Sequence, residues 1–237
     1  MMAGEVNSEI GHVHQDVSGG WLRPAVFGAM DGLVTNIALI AGVGGSGAGA
    51  HVIVLTGVAG LVAGAFSMAL GEYASVQTQN DQVRAEVAVE TDELRRHPRA
   101  EQAELVASLV RMGLTRGTAK QVADEVHANP SLAVRVHVNQ ELGVNPEDQP
   151  SPWVAAGSSF LCFAIGALVP LIPYLLGFPL LIAGIAAGAV GLFLAGALAS
   201  RFTTRSWWLG GLIQIGFGAI AAGATYLVGA LIGVGAG

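Results

Sequence analysis

Five apolar runs, about 24–43, 52–76, 153–176, 179–200 and 207–233, set the limits on what this chain can become. Each is near the roughly 20 residues that a helix needs to cross bilayer hydrocarbon. In hydrocarbon every backbone N–H and C=O must be paired inside the protein, and one isolated segment achieves that only as a helix. The pattern therefore predicts an all-α, polytopic membrane protein with five transmembrane helices. The chain is 52% hydrophobic and 12% charged, against roughly 25% charged in soluble domains. Its net charge of −6 excludes nucleic acid as a partner, and membrane lipid is the expected surrounding.

The charges are placed unevenly. After Pro150 the only charged side chains are Arg201 and Arg205. Residues 77–150 are rich in charge and interrupt the apolar runs. The chain thus divides into a polar N-terminal tail (1–20), two spans (21–76), a helical insert (77–150) and three spans (151–237). The tail lacks the apolar core of a signal peptide; its His12 and His14 are minor metal candidates. All eleven Lys and Arg residues fall on one side of a five-span layout. Such one-sidedness marks the cytoplasmic face. The N-terminus and insert are expected in the cytoplasm, and the C-terminus on the far side.

Proline and glycine punctuate the insert. The helix that continues the second span should end near His97-Pro98. Three more should follow: one from Pro98 to Met112, one after Thr115, and one from Pro130 to Leu142, with Asn129 as N-cap and Gly143 as stop. Pro170 and Pro173 should kink the third span. Trp153, Trp207 and Trp208 fall at span ends, where indoles prefer the interface. Pairs such as Gly28 and Gly32 let helices approach closely in lipid. Cys162, the one cysteine, reads as a small buried hydrophobe.

Within the spans only Asp31 and Glu72 are acidic. A charged carboxylate at mid-membrane costs roughly 2.5–3.5 kcal/mol on insertion scales, so such a residue is read as functional. Met68 lies one helical turn before Glu72, on the same face. Asp31, Met68 and Glu72 are therefore the candidate transport pathway. In the insert, Glu86, Glu90 and Glu93 share one helical face. Glu90 and Glu93 precede the Pro98 turn, and Glu101 and Glu104 follow it. If the helices fold back there, four carboxylates can converge, and His137 with Glu141 adds a nitrogen and another oxygen. Oxygen with some imidazole suits Fe²⁺, Mn²⁺ or Zn²⁺ better than Cu⁺. The competing reading is a solvated charged face, with Arg95, Arg96 and Arg99 close by.

Three stretches, FGAMDGLVTNIALIAGV, AGLVAGAFSMALGEYASV and GALVPLIPYLLG, resemble the vacuolar iron transporter family, which includes nodulin-like plant proteins and bacterial members. The likeness runs from Leu22 through nearly the whole chain and preserves the order of two spans, acidic insert and three spans. It implies a homodimer of five-span subunits, here in a bacterial cell membrane, that exchanges Fe²⁺ or a related divalent ion for protons. Asp31 and Met68 match that family's membrane-level metal residues. Glu90, Glu93, Glu101, Glu104 and Glu141 match the carboxylates of its cytoplasmic metal-binding domain. Two methionines of the plant form are His137 and Val138 here, and acidic positions of its first span are Gly20 and Pro24.

The expected function is a divalent metal transporter (Fe²⁺ or Mn²⁺, with Zn²⁺ and Co²⁺ also within reach) that moves metal out of the cytoplasm against protons. No tightly bound cofactor and no enzymatic activity are expected. Two alternatives are a metal sensor or scaffold, which leaves Asp31 unexplained, and a ferroxidase-like metalloenzyme. The latter typically pairs Glu with Glu-x-x-His, and the insert contains no Glu-x-x-His.

Overall fold

The structure is a computed structural model, described here for residues 20–143 and 145–235. His12 and His14 lie outside the described residues. Among those described there is no strand. The helices in chain order are α1 (Leu22–Gly45), α2 (Ala50–Arg96), α3 (Pro98–Arg111), α4 (Arg116–His127), α5 (Pro130–Leu142), α6 (Pro152–Leu168), α7 (Ile172–Leu175), α8 (Leu181–Ala199) and α9 (Trp207–Gly235). Five segments are long and apolar enough to cross a membrane: Leu22–Gly45, Ala50–Arg96, Pro152–Leu175, Leu181–Phe202 and Trp207–Gly233. The chain is an integral membrane protein.

Helix α1 sits at the centre of the spans and packs on α2, α6, α8 and α9. Its closest neighbour is α6, which runs parallel to it in constant register. Gly28 lies against Ser159, Gly32 against Phe163, and the Asn36 amide donates to the Ala167 carbonyl. Glycine is required here by proximity: a Cβ at Gly28 would stand 2.7 Å from the Ser159 carbonyl oxygen. Lipid supplies no hydrophobic drive between helices, so close backbone contact supplies dispersion energy instead. On another face of α1, Leu33, Ile37 and Ala41 join Leu192 of α8 and Ala222 of α9. Thr225 of α9 donates to the Ala38 carbonyl of α1 at 2.7 Å.

The two prolines of the third span stand where its α-helix is interrupted. The α-helix gives way to a 3-10 turn at Val169–Leu171 and resumes at Ile172. Proline lacks the N–H that the α-ladder needs. Leu171 in the turn and Tyr174 beyond it share a buried cluster with Ile40 of α1 and Ile53 of α2.

Helix α2 is the long element, 47 residues, or roughly 70 Å at 1.5 Å per residue. Its first half is a span and its second half carries the insert. Helices α3 and α5 pack on that second half and α4 packs on both of them, around Leu105, Ala123, Val126 and Ala133. Their ends follow from local chemistry. Pro98 and Pro130 start α3 and α5. Thr115 Oγ1 accepts the Thr118 N–H at 3.3 Å, and Asn129 Oδ1 accepts the Ser131 N–H at 3.1 Å. Gly143 stops α5 in the left-handed region, φ 66°.

Candidate metal centre

Two chain reversals build the centre. At His97-Pro98 the chain turns from α2 into α3, which brings Glu90 of α2 beside Glu101 of α3. At Asn129-Pro130 it turns from α4 into α5, which sets His137 and Glu141 on the face that meets α2. Glu90, Glu101, His137 and Glu141 thereby offer one ligand atom each, all within 4.8 Å of one another. His137 Nδ1 is 3.1 Å from Glu90 Oε1 and 3.6 Å from Glu101 Oε2.

This cluster is shielded from water. Glu90, Glu101 and His137 retain only 7%, 9% and 2% of their exposure, and Glu141 is exposed. Surface solvation therefore does not account for the two inner carboxylates. Three arginines go elsewhere: Arg84 pairs with Asp81, Arg96 with Asp92, Arg135 with Glu147. Among the described residues no Lys or Arg pairs with Glu90, Glu101, Glu104 or Glu141. Glu90 Oε1 is buried without a hydrogen-bond partner. His137 Nδ1 is within reach at 3.1 Å but does not meet it along a ring N–H direction.

Unbalanced charge shows in the acidities. Glu90 is pushed up to about 7, first by burial and then by repulsion from Glu141, Glu101, Glu104 and Glu93. Glu141 is also raised, by burial and then by Glu104, with His137 opposing. Like charges in a shared low-dielectric site disfavour ionisation. Either a proton or a cation relieves the repulsion, and buried charges in proteins are paired or bind metal. Three carboxylates and one imidazole fit a divalent ion of the Fe²⁺, Mn²⁺ or Zn²⁺ type.

The remaining candidates are dispersed. Glu104 is exposed and outside the four, yet close enough for its charge to raise both Glu90 and Glu141. Glu93 is occupied with His97, Oε2 to Nδ1 2.8 Å. Glu86 is exposed and lines a cavity of about 710 Å³ with Asn80 and Asp148, between the insert and the chain leading back to the membrane. In the spans, Asp31 is half-buried on α1 and accepts from Thr35 Oγ1 at 3.5 Å. Met68 packs against the α2–α6 cluster of Ala65, Phe163 and Ala167. Glu72 is half-buried one turn farther along α2.

Sequence reasoning overlooked His127. It ends α4, and its Nε2 lies 3.1 Å from His137 Nε2. Burial and then His137 push its pKa below the ordinary histidine value, with Asp124 opposing. The fold-back logic applied to Pro98 applies equally to Pro130, so the signal was present: a histidine on each side of a helix reversal.

Fold and site together define a polytopic helical membrane protein with a largely buried cluster of three carboxylates and one imidazole. The chain belongs to the VIT family, whose family model matches residues 22–230. Vacuolar iron transporter 1 of Oryza sativa subsp. japonica is 29% identical over 232 residues, 95% of this chain and 92% of that protein. Vacuolar iron transporter 1 of Arabidopsis thaliana is 28% identical over 215 residues, 88% and 85% of the two chains. Vacuolar iron transporter of Acanthamoeba castellanii is 35% identical over 201 residues, 79% and 73% of the two chains.

Proposed function

We propose that this protein carries Fe²⁺ or Mn²⁺ out of the cytoplasm in exchange for protons, working as a homodimer in a bacterial cell membrane. The observation that carries the reading is the largely buried cluster of Glu90, Glu101, His137 and Glu141, whose Glu90 stands on a helix that is continuous with a membrane span. The names of the relatives support iron as cargo.

In this reading the insert is cytoplasmic, supported by the one-sided Lys and Arg distribution. Its carboxylates collect the cation, with Glu86, Glu93 and Glu104 around the inner four. Asp31, Met68 and Glu72 pass it through the spans. Protons arriving from the far side compete for Asp31 and Glu72 and release the metal. Moving one charge against 100 mV costs about 2.3 kcal/mol, so an uncompensated divalent ion costs twice that. Exchange for two protons removes the electrical cost. A second subunit gives the half-exposed Asp31 a protein neighbour in place of lipid, which is where the dimer enters.

The test is flux of Fe²⁺ and Mn²⁺ into proteoliposomes, with and without an imposed pH gradient. The expected result is uptake that the gradient accelerates, with protons moving the opposite way. Metal-independent currents, or no flux under either condition, would sink the reading. Accessibility labelling of Cys162→Ser protein carrying Ser131→Cys or a C-terminal cysteine should mark the two sites from opposite sides. Native mass spectrometry should show two copies.

A further inference from the structure

The two imidazoles at the α4–α5 reversal face each other in a way that restricts their protons. Their Nε2 atoms are 3.1 Å apart and their rings are edge-on, 74° between planes with centroids 5.2 Å apart. Two bare nitrogens at that distance repel, and two N–H groups collide, so one proton lies between them. It belongs either to His137 or to His127. If it belongs to His127, the neutral His137 must carry its proton on Nδ1. An Nδ1–H there would need an acceptor, yet Glu90 Oε1, 3.1 Å away, receives no hydrogen bond from it. Glu101 Oε2 stands at 3.6 Å, beyond hydrogen-bond length. With the proton on His137 Nε2 instead and the ring neutral, Nδ1 presents a lone pair toward the oxygens of Glu90 and Glu101, a contact that repels unless a carboxyl proton or a cation lies between. That arrangement suits a cation placed among them. His127 is half-buried and lines a cavity of about 380 Å³, where water can serve its other nitrogen.

We propose that His127 is the positioning residue of the metal centre: it accepts the Nε2–H of His137 and so holds the His137 Nδ1 lone pair between Glu90 and Glu101. The proposal rests on the metal reading of the cluster and adds a residue to it. Metal-bound histidines commonly donate their second N–H to an oriented acceptor, and loss of that acceptor typically costs about 10–100-fold in metal affinity. Here the acceptor is a second imidazole, which also fills the space beside His137. His127 thereby influences metal choice, because imidazole counts for more with Co²⁺ or Zn²⁺ than with Mn²⁺.

Full-length protein labelled with [¹⁵N]histidine, in detergent, tests this with wild type, His127→Phe and His127→Gln. Phenylalanine keeps a ring beside His137 but offers no acceptor, and glutamine restores an acceptor oxygen. Metal-free wild type should show His137 protonated at Nε2 and bare at Nδ1, and Zn²⁺ should shift the Nδ1 resonance. Co²⁺ affinity should fall about tenfold or more in His127→Phe and return to within about threefold in His127→Gln. Mn²⁺ affinity should change less. Wild type that binds Co²⁺ with His137 protonated at Nδ1 overturns the proposal, as does His127→Phe binding Co²⁺ like wild type, or His127→Gln binding as weakly as His127→Phe. Those outcomes leave the metal reading standing. Wild type with the expected tautomer but no Co²⁺, Mn²⁺ or Zn²⁺ binding overturns the metal reading, and with it the positioning role, while the hydrogen bond itself survives. Affinities are compared well below the melting temperature of each metal-free protein, and His127→Phe, which leaves the buried His137 Nε2–H unpaired, should melt lower than His127→Gln.

Discussion

The insert and the spans carry acid in opposite ways. In the insert, three carboxylates crowd one imidazole within 4.8 Å, and the inner two are nearly sealed from water. In the spans, Asp31 and Glu72 stand on separate helices, each half-buried, with Thr35 as the hydrogen-bond donor to Asp31. Burial among like charges makes a site that gains most from a divalent ion, because one cation cancels several repulsions at once. A lone carboxylate gains less and releases more easily. One chain supplies a whole donor set in the insert, whereas Thr35 is the one hydrogen-bond partner of the Asp31 side chain among the described residues.

The sharpest way to break this comparison is to neutralise the lone acid. Asp31→Asn keeps the shape but loses the charge and the exchangeable proton. Under the transport reading it should reduce proton-coupled Mn²⁺ flux to the background of empty liposomes, with metal binding by the insert unchanged. Wild-type flux with normal proton movement would show that the spans do not use Asp31. A misfolded variant would return it to a structural role.

Removing a carboxylate from the crowded site should act on binding. Glu101→Gln should weaken Mn²⁺ binding by about 3 kcal/mol, roughly 100-fold, as loss of one partner of a buried charge pair does. Calorimetric titration of the full-length protein measures it. Unchanged affinity would make the cluster a passive cluster of acids.

A substitution in the membrane packing should leave the insert's chemistry alone. A Cβ at Gly32 meets the Phe163 carbonyl and comes within 2.9 Å of the Ala167 nitrogen, whereas one at Gly157 meets nothing within 4 Å. Gly32→Val should cost about 1–3 kcal/mol through overpacking and lower the melting temperature in detergent, with Gly157→Val as the control. Equal melting of both would mean that α1 and α6 do not pack in this register.

The gentlest probe is pH. Glu90 has its folded value raised from 4.5 to about 7, so the folded state holds the proton more tightly than the unfolded chain. The associated stability is fully present below 4.5 and is lost as pH rises through about 7. Metal-free protein should therefore lose stability across that window, and Glu90→Gln should flatten the loss. Metal competes with the same proton, so Mn²⁺ affinity should fall as pH drops below about 7. A metal-free stability that rises with pH across this window, in wild type but not in Glu90→Gln, would refute the assignment.

Much of the architecture was legible before any coordinates. Five apolar runs could only become helices, because hydrocarbon leaves no other way to pair a lone segment's backbone. Pro98, Asn129-Pro130 and Gly143 marked helix ends that the structure places within about a residue or two, since capping is local chemistry. The spacing of His137 and Glu141 put them on one face of one helix. What spacing could not supply was the selection among candidates. Glu90 and Glu93 look equivalent in sequence, yet one is sealed in the cluster and the other meets His97. Arg95, Arg96 and Arg99 seemed available to neutralise the acids, yet no arginine pairs with the inner four among the described residues. His127 and His137 flank the Pro130 reversal in the sequence, but their contact was settled only when α4 and α5 lay side by side. Helical periodicity determines which residues share a face of one helix. Which faces meet, which charges are buried and which nitrogen stands 3.1 Å from another depend on how separate helices pack, and only the tertiary structure decides that.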